Sequence, residues 1–182
     1  MNLANNLTVL RLLLVPLFVG SLLYYSPEKS FLHGASIAVF ILACITDGAD
    51  GYIARKLNQQ TVLGSYIDPI ADKLLLLSGF FSLSFMSHLP ALIRIPAWVT
   101  IPVVTRDVII LIGSTMIFLT TGKLKAEPLV IGKITTFCQM ITLFISLVAA
   151  PREIQAGLFV LTVLFTVISG VQYIRIGERL MR

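Results

Sequence analysis

Six apolar segments divide this chain, and they leave few folds open to it. They run over about 7–25, 31–48, 64–87, 96–120, 129–149 and 155–176, and a helix of about 20 apolar residues spans the hydrocarbon of a bilayer. With 57% hydrophobic and 13% charged residues and a mean hydropathy of +0.92, the sequence is too apolar for a soluble domain of 182 residues. Turn formers and charge mark the breaks: Ser26-Pro27-Glu28-Lys29, residues 55–61, His88 to Pro96, Thr121 to Pro128, and Pro151-Arg152-Glu153. The expectation is an all-α integral membrane protein, six transmembrane helices in one bundle with a cytoplasm-facing polar active-site cavity, and residues 1–182 as a single domain. The first run, Leu7 to Tyr25, is long for the core of a secretory signal and lacks a small-residue cleavage site, so it reads as a retained span. Cys44 and Cys138 both fall inside apolar segments and read as small core residues without a disulfide.

Lysine and arginine set the orientation. With a cytoplasmic N-terminus, the inner loops and tail carry Arg55, Lys56, Lys123, Lys125, Arg175, Arg179 and Arg182, while the outer loops carry only Lys29, Arg94 and Arg152. Seven against three places both termini inside. The compact chain without a leader suggests the inner membrane of a bacterium. No nucleic-acid partner is expected.

Four of the five aspartates lie between positions 47 and 72: Asp47, Asp50, Asp68 and Asp72. Residues three or four apart share a helix face, so these form two carboxylate pairs, each on its own helix surface, across a loop at the cytoplasmic edge. Gly51 and Ala54 flank the first pair and Gly64 lies one turn before the second, small residues that let a backbone or a flat ligand approach. A carboxylate near a span's centre costs about 2.5–3.5 kcal/mol, and four could approach roughly 10 kcal/mol. Cations among them would offset that repulsion, and hard oxygen ligands suit magnesium, manganese or calcium rather than zinc. The spacing is not that of an EF-hand, because no glutamate closes a twelve-residue loop.

Asp47, Asp50, Gly51, Ala54, Arg55, then eight residues, then Gly64, Asp68 and Asp72 match every fixed position of the pattern D-x-x-D-G-x-x-A-R-x8-G-x-x-x-D-x-x-x-D. The stretch thus resembles the signature of the CDP-alcohol phosphotransferase family. Near the start, Asn5-Asn6-Leu7-Thr8-Val9-Leu10-Arg11 is similar to the family's P-N-x-L-T-x-x-R opening, with Ala4 where proline is common. The resemblance implies a membrane enzyme, usually a homodimer, whose aspartates Asp47, Asp50, Asp68 and Asp72 bind two divalent metal ions, Mg2+ or Mn2+, around the pyrophosphate of CDP-diacylglycerol. It implies Asp72 as the general base that deprotonates the acceptor hydroxyl, and Asp47, Gly51, Ala54, Arg55, Gly64 and Thr8 as contacts of the CDP-lipid. Physically, two metals about 3.5–4 Å apart neutralise a diphosphate and its leaving group. A carboxylate beside cations stays ionised and able to take a proton, and an arginine can fork onto phosphate oxygens.

Three further polar features sit in apolar surroundings. Arg106-Asp107 lies mid-way along the fourth segment, where intramembrane charge points to function; adjacent helix residues do not face one another, so separate partners are expected. Gly132-Lys133-Ile134-Thr135-Thr136 puts Lys133 and Thr136 on one face of the fifth. Arg106 and Lys133, with Lys123 or Lys125, would form a pocket for an anionic alcohol acceptor. Lys73 follows Asp72 directly and reads equally as a counter-ion or a substrate contact.

A pocket for an anion favours glycerol 3-phosphate or the phosphate of phosphatidylglycerol over serine or choline. The layout resembles the family's phosphatidylglycerophosphate synthase branch, although Ile112-Gly113-Ser114 and Thr135 depart from it. Arg106-Asp107-Val108 and the segment from Leu124 to Thr136 also look like cardiolipin synthases, which use phosphatidylglycerol. Glycerol 3-phosphate is the expected acceptor and phosphatidylglycerol the alternative. An intramembrane prenyltransferase would carry its aspartate motifs far apart, whereas 17 residues separate Asp50 from Asp68. A cation transporter would show broken helices or repeated halves, and neither is visible in the sequence.

Overall fold

In a computed structural model the chain is all-helical, and the structure describes the backbone of residues 3–57, 62–121 and 130–181 and the side chains of 9–46, 73–113, 115 and 130–176. Among the described residues six α-helices follow in order: α1 (Leu3–Leu23), α2 (Phe31–Leu57), α3 (Val62–Phe85), α4 (Ala97–Thr121), α5 (Val130–Leu147) and α6 (Arg152–Met181), with a 3-10 turn at Pro27–Lys29. Each expected segment is a helix. Among the described residues two helical stretches, Val130–Leu147 and Arg152–Ile176, are long and apolar enough to cross a membrane by length and composition, and Val9–Leu23, Phe31–Thr46 and Lys73–Phe85 are shorter apolar stretches.

The breaks fall where local chemistry ends a helix. Proline at position 27 cannot donate to a preceding carbonyl; the chain instead turns once, Lys29 N donating to Ser26 O at 2.9 Å. Between α3 and α4 a run of turns closes with Ile93 N donating to Pro90 O at 3.0 Å. At the end of α5, Ala149 takes the left-handed conformation (φ 52°) and Ala150 N reaches back to Ile145 O at 3.2 Å. That is a Schellman stop with alanine where glycine is usual, and Pro151 forbids continuation.

One expectation needs correction. The sequence reading broke the second segment near position 48 and placed a loop over 55–61, yet α2 runs on to Leu57. Its apolar sequence gives way to polar residues from Asp47, but Ala54, Arg55, Lys56 and Leu57 are good helix formers, so the helix continues into polar sequence. At 1.5 Å per residue, 27 residues make a helix of about 40 Å, longer than the hydrocarbon core. Arg55, Lys56 and Leu57 are therefore helical residues, not loop residues.

The chain forms two compact units. The first comprises Met1–Arg94 with Leu147–Ala149. In it α1 packs against both α2 and α3, burying Leu14, Phe18, Leu22, Phe40, Leu76, Phe80 and Leu83, with the Phe18 and Phe40 rings 5.9 Å apart. Both histidines of the chain satisfy carbonyls at helix ends here, which an α-helix leaves without an internal partner. His88 Nε2 lies 2.9 Å from Leu22 O and His33 Nε2 lies 2.6 Å from Leu147 O. Arg11 is 1% exposed, so it does not snorkel to a surface.

The second unit comprises Ile95–Ser146 and Ala150–Arg182. Here α4 packs along α6, the Trp98 indole meets the Phe159 ring edge-on at 6.4 Å, and a polar seam joins α5 to α6. Thr142 and Thr162 exchange a hydroxyl hydrogen bond at 2.7 Å, and Thr135 Oγ1 donates to Ile131 O at 2.8 Å and to Phe165 O at 3.1 Å. Small hydroxyl residues let two apolar helices approach closely and bond where no water competes.

Candidate active site

The aspartate stretch falls on two consecutive helices. α2 carries Asp47, Asp50, Gly51, Ala54 and Arg55 in its C-terminal part; α3 carries Gly64, Asp68 and Asp72 in its N-terminal part. Both helices rest on α1. The helical backbone puts Asp47 with Asp50, and Asp68 with Asp72, on single faces. The side chains of these eight residues, and of Thr8, lie outside the described residues. Among the described side chains no group of three or more histidine, cysteine, aspartate or glutamate residues could hold a metal. The donor chemistry of the aspartates, four carboxylates on two helices, fits a hard divalent ion such as Mg2+ or Mn2+.

The second polar centre is described in full. Arg106 and Asp107, on α4, are 5% and 2% exposed. Arg106 Nη1 donates to Asp107 Oδ1 at 2.6 Å, and Nη2 donates to Ser169 Oγ of α6 at 2.9 Å. The guanidinium carbon stands 5.7 Å from the centre of the Tyr173 ring, within cation–π range. Gly170 underlies the stem: a Cβ there would meet Arg106 Cγ at 3.6 Å. On the α5 side, a Cβ at Gly132 would come within 3.0 Å of the Tyr173 hydroxyl and 3.4 Å of Arg106 Nη2. Even an alanine there would need the Tyr173 ring to shift by a few tenths of an ångström.

The pairing of Arg106 with Asp107 corrects the expectation that they have separate partners. Their Cα–Cβ directions diverge by about 100°, but the long arginine stem bends back across the helix and closes the ion pair. Inside an apolar unit a lone cation would cost far more than one held by a carboxylate, a hydroxyl and an aromatic face. Lys133 follows Gly132 and its side chain is exposed, so the structure places it next in sequence to the α5 wall of this centre. Lys123 and Lys125 lie outside the described residues. Ser169 and Tyr173 were missed in the sequence. Their signal was a polar stripe on α6, at Thr162, Thr166, Ser169 and Tyr173, which recurs every three or four residues.

A family model for CDP-alcohol phosphatidyltransferases matches residues 1–168. The chain belongs to this family. Among similar proteins, one from Mycobacterium tuberculosis named probable phosphatidylglycerophosphate synthase is 37% identical over 177 residues, covering 95% of this chain and 80% of that protein. A CDP-diacylglycerol--glycerol-3-phosphate 3-phosphatidyltransferase from Bacillus subtilis is 33% identical over 187 residues, covering 94% and 93%. One of the same name from Aquifex aeolicus is 35% identical over 147 residues, covering 81% and 72%. Membership gives the Asp47–Asp72 stretch its context: it is the only stretch of this chain that carries the family's full aspartate pattern.

Proposed function

We propose that this protein transfers the phosphatidyl group of CDP-diacylglycerol to a hydroxyl of glycerol 3-phosphate and releases CMP. The observation that carries this reading is the complete aspartate pattern on two consecutive helices of a chain belonging to this family. The choice of acceptor is supported by relatives matched over most of their length, whose names specify glycerol 3-phosphate.

In this reading residues 1–182 form one membrane domain of six spans, both termini on the cytoplasmic side of a bacterial inner membrane, working as a homodimer. Asp47, Asp50, Asp68 and Asp72 hold two Mg2+ or Mn2+ ions. When bound, these would neutralise the diphosphate and stabilise the departing CMP. Thr8, Asp47, Gly51, Ala54, Arg55 and Gly64 contact the CDP-lipid: the small residues admit the nucleotide against the α2 and α3 backbones, and Arg55 forks onto phosphate oxygens. Asp72 takes the proton of the acceptor hydroxyl as its oxygen bonds to the phosphorus that carries diacylglycerol, and the bond from that phosphorus to the CMP oxygen breaks. Arg106, Lys133 and Lys123 hold the acceptor's own phosphate, so that only its hydroxyl end is offered for reaction.

The test supplies purified protein with CDP-diacylglycerol and Mg2+ or Mn2+ and measures CMP release with glycerol 3-phosphate, phosphatidylglycerol, myo-inositol phosphate or serine. Release that depends on glycerol 3-phosphate is expected. Product with phosphatidylglycerol alone would make the protein a cardiolipin synthase, and release with none of the four would remove the proposed activity.

A further inference from the structure

We infer that Ser169 and Gly132 are positioning residues for the acceptor, fixing the Arg106 guanidinium so that one edge remains available to a phosphate. The inference rests on reading Arg106 as the contact for the acceptor's phosphate. A guanidinium offers five N–H donors in a rigid plane. Nη1, on the side of the plane away from the Nε–H, carries the ion pair with Asp107. Nε is buried and has no hydrogen-bond partner among the described residues. A buried donor left unmatched is unfavourable by an amount comparable to a hydrogen bond, and the Nε–H runs parallel to one Nη2–H, the side-on fork that grips two oxygens of a phosphate.

Three contacts keep that fork in place. Ser169 Oγ accepts from Nη2 at 2.9 Å, so the plane cannot swing about its stem. The Tyr173 ring lies 5.7 Å from the guanidinium carbon and limits its tilt. Gly132 leaves room beside Nη2, where a Cβ would stand 3.4 Å away. A purely structural pair of Arg106 with Asp107 on α4 would have no use for an unmatched Nε–H. Ser169 touches no reacting atom in this account; it acts through Arg106.

The experiment compares Ser169→Ala, Ser169→Thr and Arg106→Lys in purified protein, with KM for glycerol 3-phosphate, KM for CDP-diacylglycerol and kcat measured separately. Ser169→Ala should raise the glycerol 3-phosphate KM roughly five- to tenfold, the size of one ordinary net hydrogen bond because Arg106 keeps its other contacts, with kcat and the CDP-diacylglycerol KM within about twofold of the parent. Ser169→Thr, which keeps the hydroxyl, should restore the parent KM. Arg106→Lys keeps the charge but not the fork and should raise the same KM more than Ser169→Ala does. An unchanged glycerol 3-phosphate KM in Ser169→Ala, or an equal loss towards both substrates, would overturn the positioning role while Arg106→Lys still reports on the acceptor contact. If Arg106→Lys itself leaves the glycerol 3-phosphate KM unchanged, the reading of Arg106 fails and this inference falls with it.

Discussion

Arg106 and Asp107, consecutive in sequence, close a 2.6 Å ion pair inside the second unit, with Nη1 of one on Oδ1 of the other. The carboxylate holds its neighbour's charge in an apolar interior. The pair is neutral as a whole, so α4 can carry an arginine deep in its apolar sequence without an isolated charge there.

Removing one partner tests this. Asp107→Ala leaves a buried guanidinium with its carboxylate gone, and breaking a buried pair from one side costs about 3–5 kcal/mol. The expected outcome is a large drop in the yield of folded, detergent-stable protein and in apparent melting temperature. Asp107→Asn, which can still accept a hydrogen bond from Nη1, should lose clearly less. Equal melting curves for parent and Asp107→Ala would show that the pair contributes nothing.

Gly132 makes a different claim on the same centre. Adding a methyl group there brings it to 3.0 Å from the Tyr173 hydroxyl, so the ring must shift by a few tenths of an ångström, and a β-branched side chain must displace more. Gly132→Ala should raise the KM for glycerol 3-phosphate about threefold and Gly132→Val more than tenfold, on the order of 1.4 kcal/mol, with the CDP-diacylglycerol KM little changed. Steady-state kinetics with each substrate varied in turn would show it.

What the sequence could reveal depended on range. All six helices were visible because apolar runs end at proline, glycine and charge, signals that act locally. The extension of α2 to Leu57 was hidden because hydropathy marks where the apolar stretch ends, and helix propensity continues past it through Ala54 and Arg55. Asp47, Asp50, Asp68 and Asp72 stood out because four carboxylates at helical spacing are rare in so apolar a chain. The Arg106 centre was half legible. The buried charge was evident, but its contact with Asp107 depends on a flexible stem, and Ser169 lies 63 positions away, a separation that no local pattern bridges.

The alanine at the end of α5 offers a stabilising change. Ala149 sits at φ 52°, in the left-handed region where a Cβ crowds the following carbonyl, at a position glycine occupies in most such stops. Ala149→Gly should relieve roughly 1 kcal/mol of strain, partly offset by the greater freedom of glycine in the unfolded chain. Thermal unfolding in detergent should rise by up to about 2–4 °C, and Ala149→Val should lower it. A fall on introducing glycine would contradict the strained conformation.

Asp72 carries the sharpest chemical prediction, because the proposed function combines base and metal ligand in this one carboxylate. Asp72→Asn keeps size and most hydrogen bonding but removes both the negative charge and the basic oxygen. CMP release should fall by at least about 100-fold, the low end of what a positioned general base contributes. The helical fold should persist, because the substitution removes one negative charge from an acidic stretch and adds none. Chelation with EDTA should stop the parent enzyme and added Mg2+ or Mn2+ should restore it, whereas no metal concentration should restore Asp72→Asn. Circular dichroism and gel filtration separate loss of chemistry from loss of fold. Substantial turnover by the asparagine variant would move the proton acceptor to another group, and activity that survives chelation would detach the aspartates from any metal.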